Sequence, residues 1–124
     1  MMTAAERKRL LLLIRHSPYG SGLARASLDV GLAAAAFDQA VNVLFMGDGV
    51  LQLLPEQRSE AIGMKNLGRT LASLPLYDIE SVYADASAAA RYQLDLALAP
   101  VASLPLEAED MHQLLCAHDH LLGF

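Results

Sequence analysis

Three groups of residues in this 124-residue chain combine side-chain types and spacings that do chemistry. The first is Gly20-Ser21-Gly22, preceded by His16-Ser17-Pro18-Tyr19. Small residues ahead of a helical stretch turn backbone N–H groups towards a common point, where a small anion can sit. The loop has no third glycine in register and no Gly-Lys-Ser/Thr, so it is neither a dinucleotide fingerprint nor a phosphate loop. It reads first as a plain strand-to-helix turn and second as an anion site centred on Gly20 and Gly22. The second group is Gly47-Asp48-Gly49. Its simplest reading is a tight turn in which Asp48 caps the helical turn that follows. Asp48 becomes a candidate acid or base only if a second titrating group stands beside it, and Asp85 or His16 are the candidates.

The third group is His112, Cys116, His118, Asp119 and His120. His112 and Cys116 are four apart and share a face if one helix carries both, a spacing that can hold a metal. No second motif completes the ligand set, so a buried inert thiol beside a polar turn is the simpler reading, and no metal is expected. A nucleophilic cysteine wants a helix N-terminus or nearby cations. Cys116 falls at the other end of its helix, in an acidic stretch, which argues against a sulfur-carrying role.

The elements that must position these residues follow from apolar patterning. Leu10–Ile14 is a short apolar run closed by turn residues, the mark of a strand buried on both faces. Gly22–Phe37 keeps helical spacing at Leu23, Ser27, Val30 and Ala34, with Ser21 as its cap. Val41–Met46 is a second strand, ending at Gly47. Val50–Leu54 gives one helical turn before Pro55, Gln57–Glu60 a polar loop, and Lys65–Leu74 a helix stopped by Pro75. Ile79–Ala84 alternates and reads as a third strand, followed by a helix over Ser87–Tyr92 capped by Ser87. Leu98–Leu104 is a weak strand interrupted by Pro100, hence near an edge. Pro105–Ala117 is a helix with acids in its first turn, and His120–Phe124 a last strand. This alternation predicts an α/β fold: a mainly parallel five-stranded sheet with helices on both faces. Residues 1–8 read as a flexible tail and residues 9–124 as one domain. In such a sheet ligands bind beyond the carboxyl ends of the strands, which brings Gly20, Gly22, Asp48, Gly49 and Asp85 into one region.

Composition limits what that region can do. Apolar residues make up 54% of the chain, with leucine and alanine supplying most of them, and this excludes intrinsic disorder. A chain this short buries only about two-thirds of its unfolded surface, so the surplus points to a subunit interface. The net charge is −5, and no lysine or arginine follows Arg91, so the chain is a poor direct partner for nucleic acid. The one cysteine excludes an internal disulfide framework and fits a reducing compartment. The five-residue run Leu10–Ile14 falls far short of the ~20 residues needed to span a bilayer. It is also too short for a signal peptide, which leaves the cytoplasm as the expected location and no membrane as a partner.

Several longer stretches are similar to a known family. Pro18-Tyr19-Gly20, Arg25-Ala26-Ser27-Leu28-Asp29 and Phe45-Met46-Gly47-Asp48-Gly49-Val50-Leu51-Gln52-Leu53-Leu54-Pro55 resemble the TusC/DsrF branch of the DsrE/DsrF-like sulfur-relay family. So do Leu76-Tyr77-Asp78-Ile79-Glu80 and Pro105-Leu106-Glu107-Ala108. The similarity runs from about Arg9 to Phe124, and it is carried by the order and spacing of these stretches together. It implies a cytoplasmic dimer of heterotrimers with TusB-like and TusD-like paralogues. That complex takes persulfide sulfur from TusA and passes it to TusE, ending in 2-thiouridine at the tRNA wobble position. In sulfur-oxidising bacteria the related complex serves dissimilatory sulfur metabolism.

The family's reactive cysteine lies on the TusD-like subunit just after the third strand. The corresponding place here is Ala84-Asp85-Ala86, without a cysteine, and Cys116 does not replace it. The resemblance therefore implies a non-enzymatic subunit with no catalytic residue and no cofactor of its own. Two readings from other classes remain. One is an independent anion- or small-molecule-binding module using the two glycine loops. The other is a metal-dependent enzyme around His112, Cys116, His118 and His120. The small residues of Gly22–Phe37 and Val50–Leu54 read as core before interface.

Overall fold

Leucine and valine runs too short to be helices become strands because five of them, side by side, satisfy one another's backbone groups while burying both faces. The computed structural model describes residues 8–17, 23–37, 39–54, 67–79 and 81–124. The strands are β1 (Arg9–Ile14), β2 (Ala40–Phe45), β3 (Val82–Asp85), β4 (Leu104–Leu106) and β5 (His120–Gly123). All pair in parallel, in the order β4-β3-β2-β1-β5. The expected α/β architecture is what forms. The helices are α1 (Leu23–Ala36), α2 (Leu67–Ala72), α3 (Ala86–Arg91) and α4 (Ala108–Cys116), with 3-10 turns at Gly47–Leu53, Leu74–Tyr77 and Leu96–Leu98.

The order dictates which helix covers which face. The chain steps from β1 to β4 in one direction and then jumps back past β1 to β5. Right-handed crossovers therefore put the connections before β4 on one face and α4 on the other. The pleat sorts the side chains to match. Leu10, Leu12 and Ile14 stand beside Val41, Val43 and Phe45, and these beside Val82 and Ala84. Together with Leu28, Val50, Leu53, Leu71 and Leu74 they form the principal core. The alternate residues Leu11 and Leu44 are also buried, on the opposite face. There the cover is α4, none of whose nine residues is buried.

Several local expectations shift. Pro75 does not stop the α2 region; it opens the 3-10 turn Leu74–Tyr77, because a residue locked near a helical φ suits a first turn. Asp78 then closes that turn with a left-handed backbone at φ 64°, and Ile79 enters the core without joining a strand. The strand pairing of β3 begins only at Val82. The weak strand expected at Leu98–Leu104 is a 3-10 turn followed by irregular chain. Pairing starts at Leu104, and Pro105 sits inside β4 at the sheet's edge. The last helix begins at Ala108 and not at Pro105, since that proline is held in the strand. Of Val50–Leu54, read as core before interface, Val50 and Leu53 are buried in the Gly47–Leu53 turn, while Leu54 is 39% exposed. Ser21, Gln57–Glu60 and residues 1–7 lie outside the described residues.

Candidate functional site

The carboxyl ends of β1, β2 and β3 meet in a small polar junction. β2 ends at Phe45, and the chain must then turn at once to stay near the sheet. Gly47 makes the turn with a left-handed backbone at φ 52°, a conformation costly for any residue bearing a Cβ. Gly49 is needed for a different reason. A Cβ there would stand 2.0 Å from the carbonyl oxygen of Ile14, so only glycine lets the turn lie against the end of β1. Val50 and Leu53 then bury into the core, and Gln52 donates from Nε2 to the carbonyl of His16 at 3.1 Å. The Asp-Gly-Val-x-Gln-Leu-Leu stretch is thus a packing device that fastens the loops after β1 and β2 to each other.

Asp85 ends β3 and caps α3. Its carboxylate accepts from the N–H of Ala88 at 3.3 Å, and its other oxygen accepts from the N–H of Gly47 at 3.4 Å. Asp85, not Ser87, is the cap, because β3 runs straight into α3 with no intervening residue. Asp48 does not cap its own turn: the preceding residue is Met46, with no side-chain cap bond. Asp48 instead accepts a short hydrogen bond from the hydroxyl of Tyr92, just past the end of α3. That bond raises the Tyr92 phenol above its ordinary 10.0, since ionising it would set two negative oxygens together. The Arg91 guanidinium lies 5.3 Å from the centre of the Tyr92 ring.

The loops after β2 and β3 do meet, so Asp48 and Asp85 share one junction. His16 contributes its backbone carbonyl there. Gly20 and Gly22 fall outside the described residues. Tyr92 was not legible as a member: it stands 44 positions from Asp48, and a tyrosine at a helix end carries no local signal of a distant carboxylate. Chemically the junction is acidic, and the buried Oε1 of Gln52 is left without a hydrogen-bond partner. The N–H groups of Gly47 and Ala88 are taken by Asp85, and Asp48 is taken by Tyr92. Among its described residues it contains no thiol and no lysine.

Cys116 is at the other end of the sheet. α4 runs from the carboxyl end of β4 back to the amino end of β5, and Cys116 is its last residue. The thiol is exposed, not buried as expected, because α4 sinks no residue into the core. His112 Nε2 lies 3.9 Å from its sulfur, one helical turn away. His118 turns elsewhere: it bonds the carbonyl of Leu114 at 2.8 Å and the side-chain nitrogen of Asn42 at 2.7 Å, tying α4 to the middle of the sheet. Among the described residues no three His, Cys, Asp or Glu come together as a metal cluster. Asp119 accepts from the N–H of Arg9 at 2.8 Å. That bond, helped by the charge of Lys8, holds its carboxyl below the usual carboxylate range. A cleft of about 360 Å³ opens between the amino ends of β3 and β4, lined by Ser81, Tyr83, Ser103 and Leu104 among others.

A model of the DsrE/DsrF-like family matches residues 8–124. The chain belongs to the DsrE/DsrF-like family. It is 45% identical over 78 residues to the intracellular sulfur oxidation protein DsrF of Allochromatium vinosum, a match that covers 63% of this chain and 57% of that protein's length. The fold is shared with the ychN protein of E. coli, at a TM-score of 0.83 and 17% identity over 94% of this chain and 99% of that one. A conserved protein of unknown function from Bacteroides thetaiotaomicron, BT1422, superposes at a TM-score of 0.64 and 8% identity over 92% of this chain and 94% of that one. At those identities the two structures speak to the fold alone. Among the described residues no helix is long and apolar enough to cross a membrane.

Proposed function

We propose that this chain is a non-catalytic subunit of a cytoplasmic sulfur-relay complex, assembled with TusB-like and TusD-like paralogues as a dimer of heterotrimers. The observation that carries the reading is at the end of β3. Ala84-Asp85-Ala86 is about where the family resemblance sets a reactive cysteine on the TusD-like subunit, and its one side chain with reactive atoms is the carboxylate of Asp85. A carboxylate has no sulfur to form a persulfide, and here both its oxygens are engaged by backbone N–H groups. Cys116, the one cysteine of the sequence, lies at the opposite end of the strands. The chain therefore shapes a complex whose thiol chemistry belongs to a neighbour. In this reading sulfur arrives from a TusA-like donor, leaves to a TusE-like acceptor, and reaches the wobble uridine of tRNA.

The similarity to DsrF favours a second destination, dissimilatory sulfur oxidation by a complex of the same kind. An independent anion-binding module is disfavoured by the junction's two carboxylates, which repel an anion, and by the absence of a free N–H cradle among its described residues.

Deleting the gene in its own host tests the reading and separates the destinations. Loss of 2-thiouridine from tRNA supports the relay to tRNA; failure to oxidise stored sulfur with 2-thiouridine intact supports the second. Cys116→Ser, restored to the same host, is expected to return either activity nearly to normal. An assembled complex that stays inactive with Cys116→Ser would overturn the non-catalytic assignment.

A further inference from the structure

No residue from Glu107 to Phe124 is buried. This stretch carries α4 and β5. Of its side chains Phe124 alone packs against the principal core, and it is only partly buried there. β5 lies at an edge of the sheet and pairs with β1 and no other described strand. Lifting α4 and β5 away therefore breaks the pairing of β5 with β1 and leaves β4-β3-β2-β1 in register.

Two adjacent residues, between the end of α4 and the start of β5, fasten the stretch at its middle. His118 Nδ1 faces the carbonyl of Leu114 at 2.8 Å and must carry the proton, since a carbonyl only accepts. Its Nε2 accepts from the side-chain amide of Asn42 in β2 at 2.7 Å. Asp119 holds β1 twice: its N–H donates to the carbonyl of Arg9 at 2.8 Å, and its carboxylate accepts from the N–H of Arg9 at 2.8 Å. Under α4 the sheet buries Leu11 and Leu44. The larger apolar cluster, on the other face, loses only its contact with Phe124 if the stretch leaves. A segment held by little buried area and a few edge hydrogen bonds opens at a lower free energy than the whole fold.

We propose that residues 107–124 form a strap that opens as one unit while β4-β3-β2-β1 and the principal core stay folded. His118 and Asp119 are its clasp. Open, the strap uncovers Leu11, Leu44 and the outer side of β1, and it carries Cys116 with it.

The test is amide hydrogen exchange on the full chain, read residue by residue by NMR. The hydrogen-bonded N–H groups of α4 and β5 should share one protection factor, about tenfold or more below that of β2. The N–H of Arg15, bonded to Phe124, should follow the strap, and the N–H of Met46, bonded to Ile14, should follow β2. Asp119→Ala, at an exposed position that does not threaten folding, should lower the protection of α4 and β5 alike by about fivefold, the size of one lost hydrogen bond. Asn42→Ala should do the same from outside the strap. Ile79→Val, in the principal core, should lower the protection of β2 by about threefold or more and leave the strap unchanged, because that core is intact in the open form. The proposal is overturned if the strap and β2 share one protection factor, if a clasp variant loosens α4 without β5 or β5 without α4, or if Ile79→Val loosens the strap as much as β2.

Discussion

The two faces of the sheet are built from the same kind of residue and finished to different standards. On one face, Leu10, Leu12, Ile14, Val41, Val43 and Phe45 lie under α1, α2 and the Gly47–Leu53 turn, and all six are buried. On the other, Leu11 and Leu44 are buried, but among the described residues α4 is the one helix there, and it keeps its own residues half-exposed or exposed. The first face has the density of a domain core. The second has the character of a surface still to be covered. Hydrophobic stabilisation follows area removed from water, so the first face should hold the fold and the second should be replaceable.

The sharpest way to break that comparison is to empty each face in turn. Phe45→Ala, at a site with no exposure, should cost about 3–5 kcal/mol in urea unfolding. Leu115→Ala on half-exposed α4 should cost about 1 kcal/mol or less. Equal losses would mean that the faces are energetically alike. Gly49→Ala comes next. Its new methyl meets the backbone of Ile14, which cannot rotate away, so a loss of about 1–3 kcal/mol in the same assay is expected. No loss would show that the turn has slack the described geometry lacks.

Asp85→Ala removes the cap of α3 and the bond to Gly47, and should lower stability by about 1 kcal/mol, while Asp85→Asn keeps most of it. The smallest effect concerns the thin face. Asp119 is held below its ordinary value of 3.8 by the Arg9 N–H, so its contribution is complete above that pH and is lost as pH falls through the lower folded value. The stability difference between wild type and Asp119→Asn should therefore be flat near neutrality and shrink in acid below about 3.8. A difference that grows as pH falls would reverse the assigned sign.

Much of this was legible in the residues. Leu10–Ile14 and Val41–Met46 announced buried strands because an uninterrupted apolar run bounded by turn residues has few other places to go. Proline positions were harder. Pro75 and Pro105 each looked like a boundary, yet one opens a 3-10 turn and the other sits inside an edge strand, since proline's missing N–H is harmless wherever no partner awaits it. Asp48 and Asp85 were recognisable as residues of one strand-end region. Their partners were not, because Tyr92 and the N–H of Gly47 reach them across the fold. Cys116 looked buried because cysteine usually is, and only the shallow seat of α4 exposes it.

Residue types and their spacing already specify the class of fold, the glycine turn after β2, the absence of a thiol at the end of β3, and the lopsided placing of charge along the chain. These depend on residue type and local spacing, which tertiary contacts do not alter. The return of β5 to the far side of β1 is a property of the folded sheet. That single crossover sets α4 on the face opposite α1 and α2 and carries Cys116 away from Asp85. Strand order is fixed by long-range packing and the handedness of crossovers, and neither is written in any one stretch of residues.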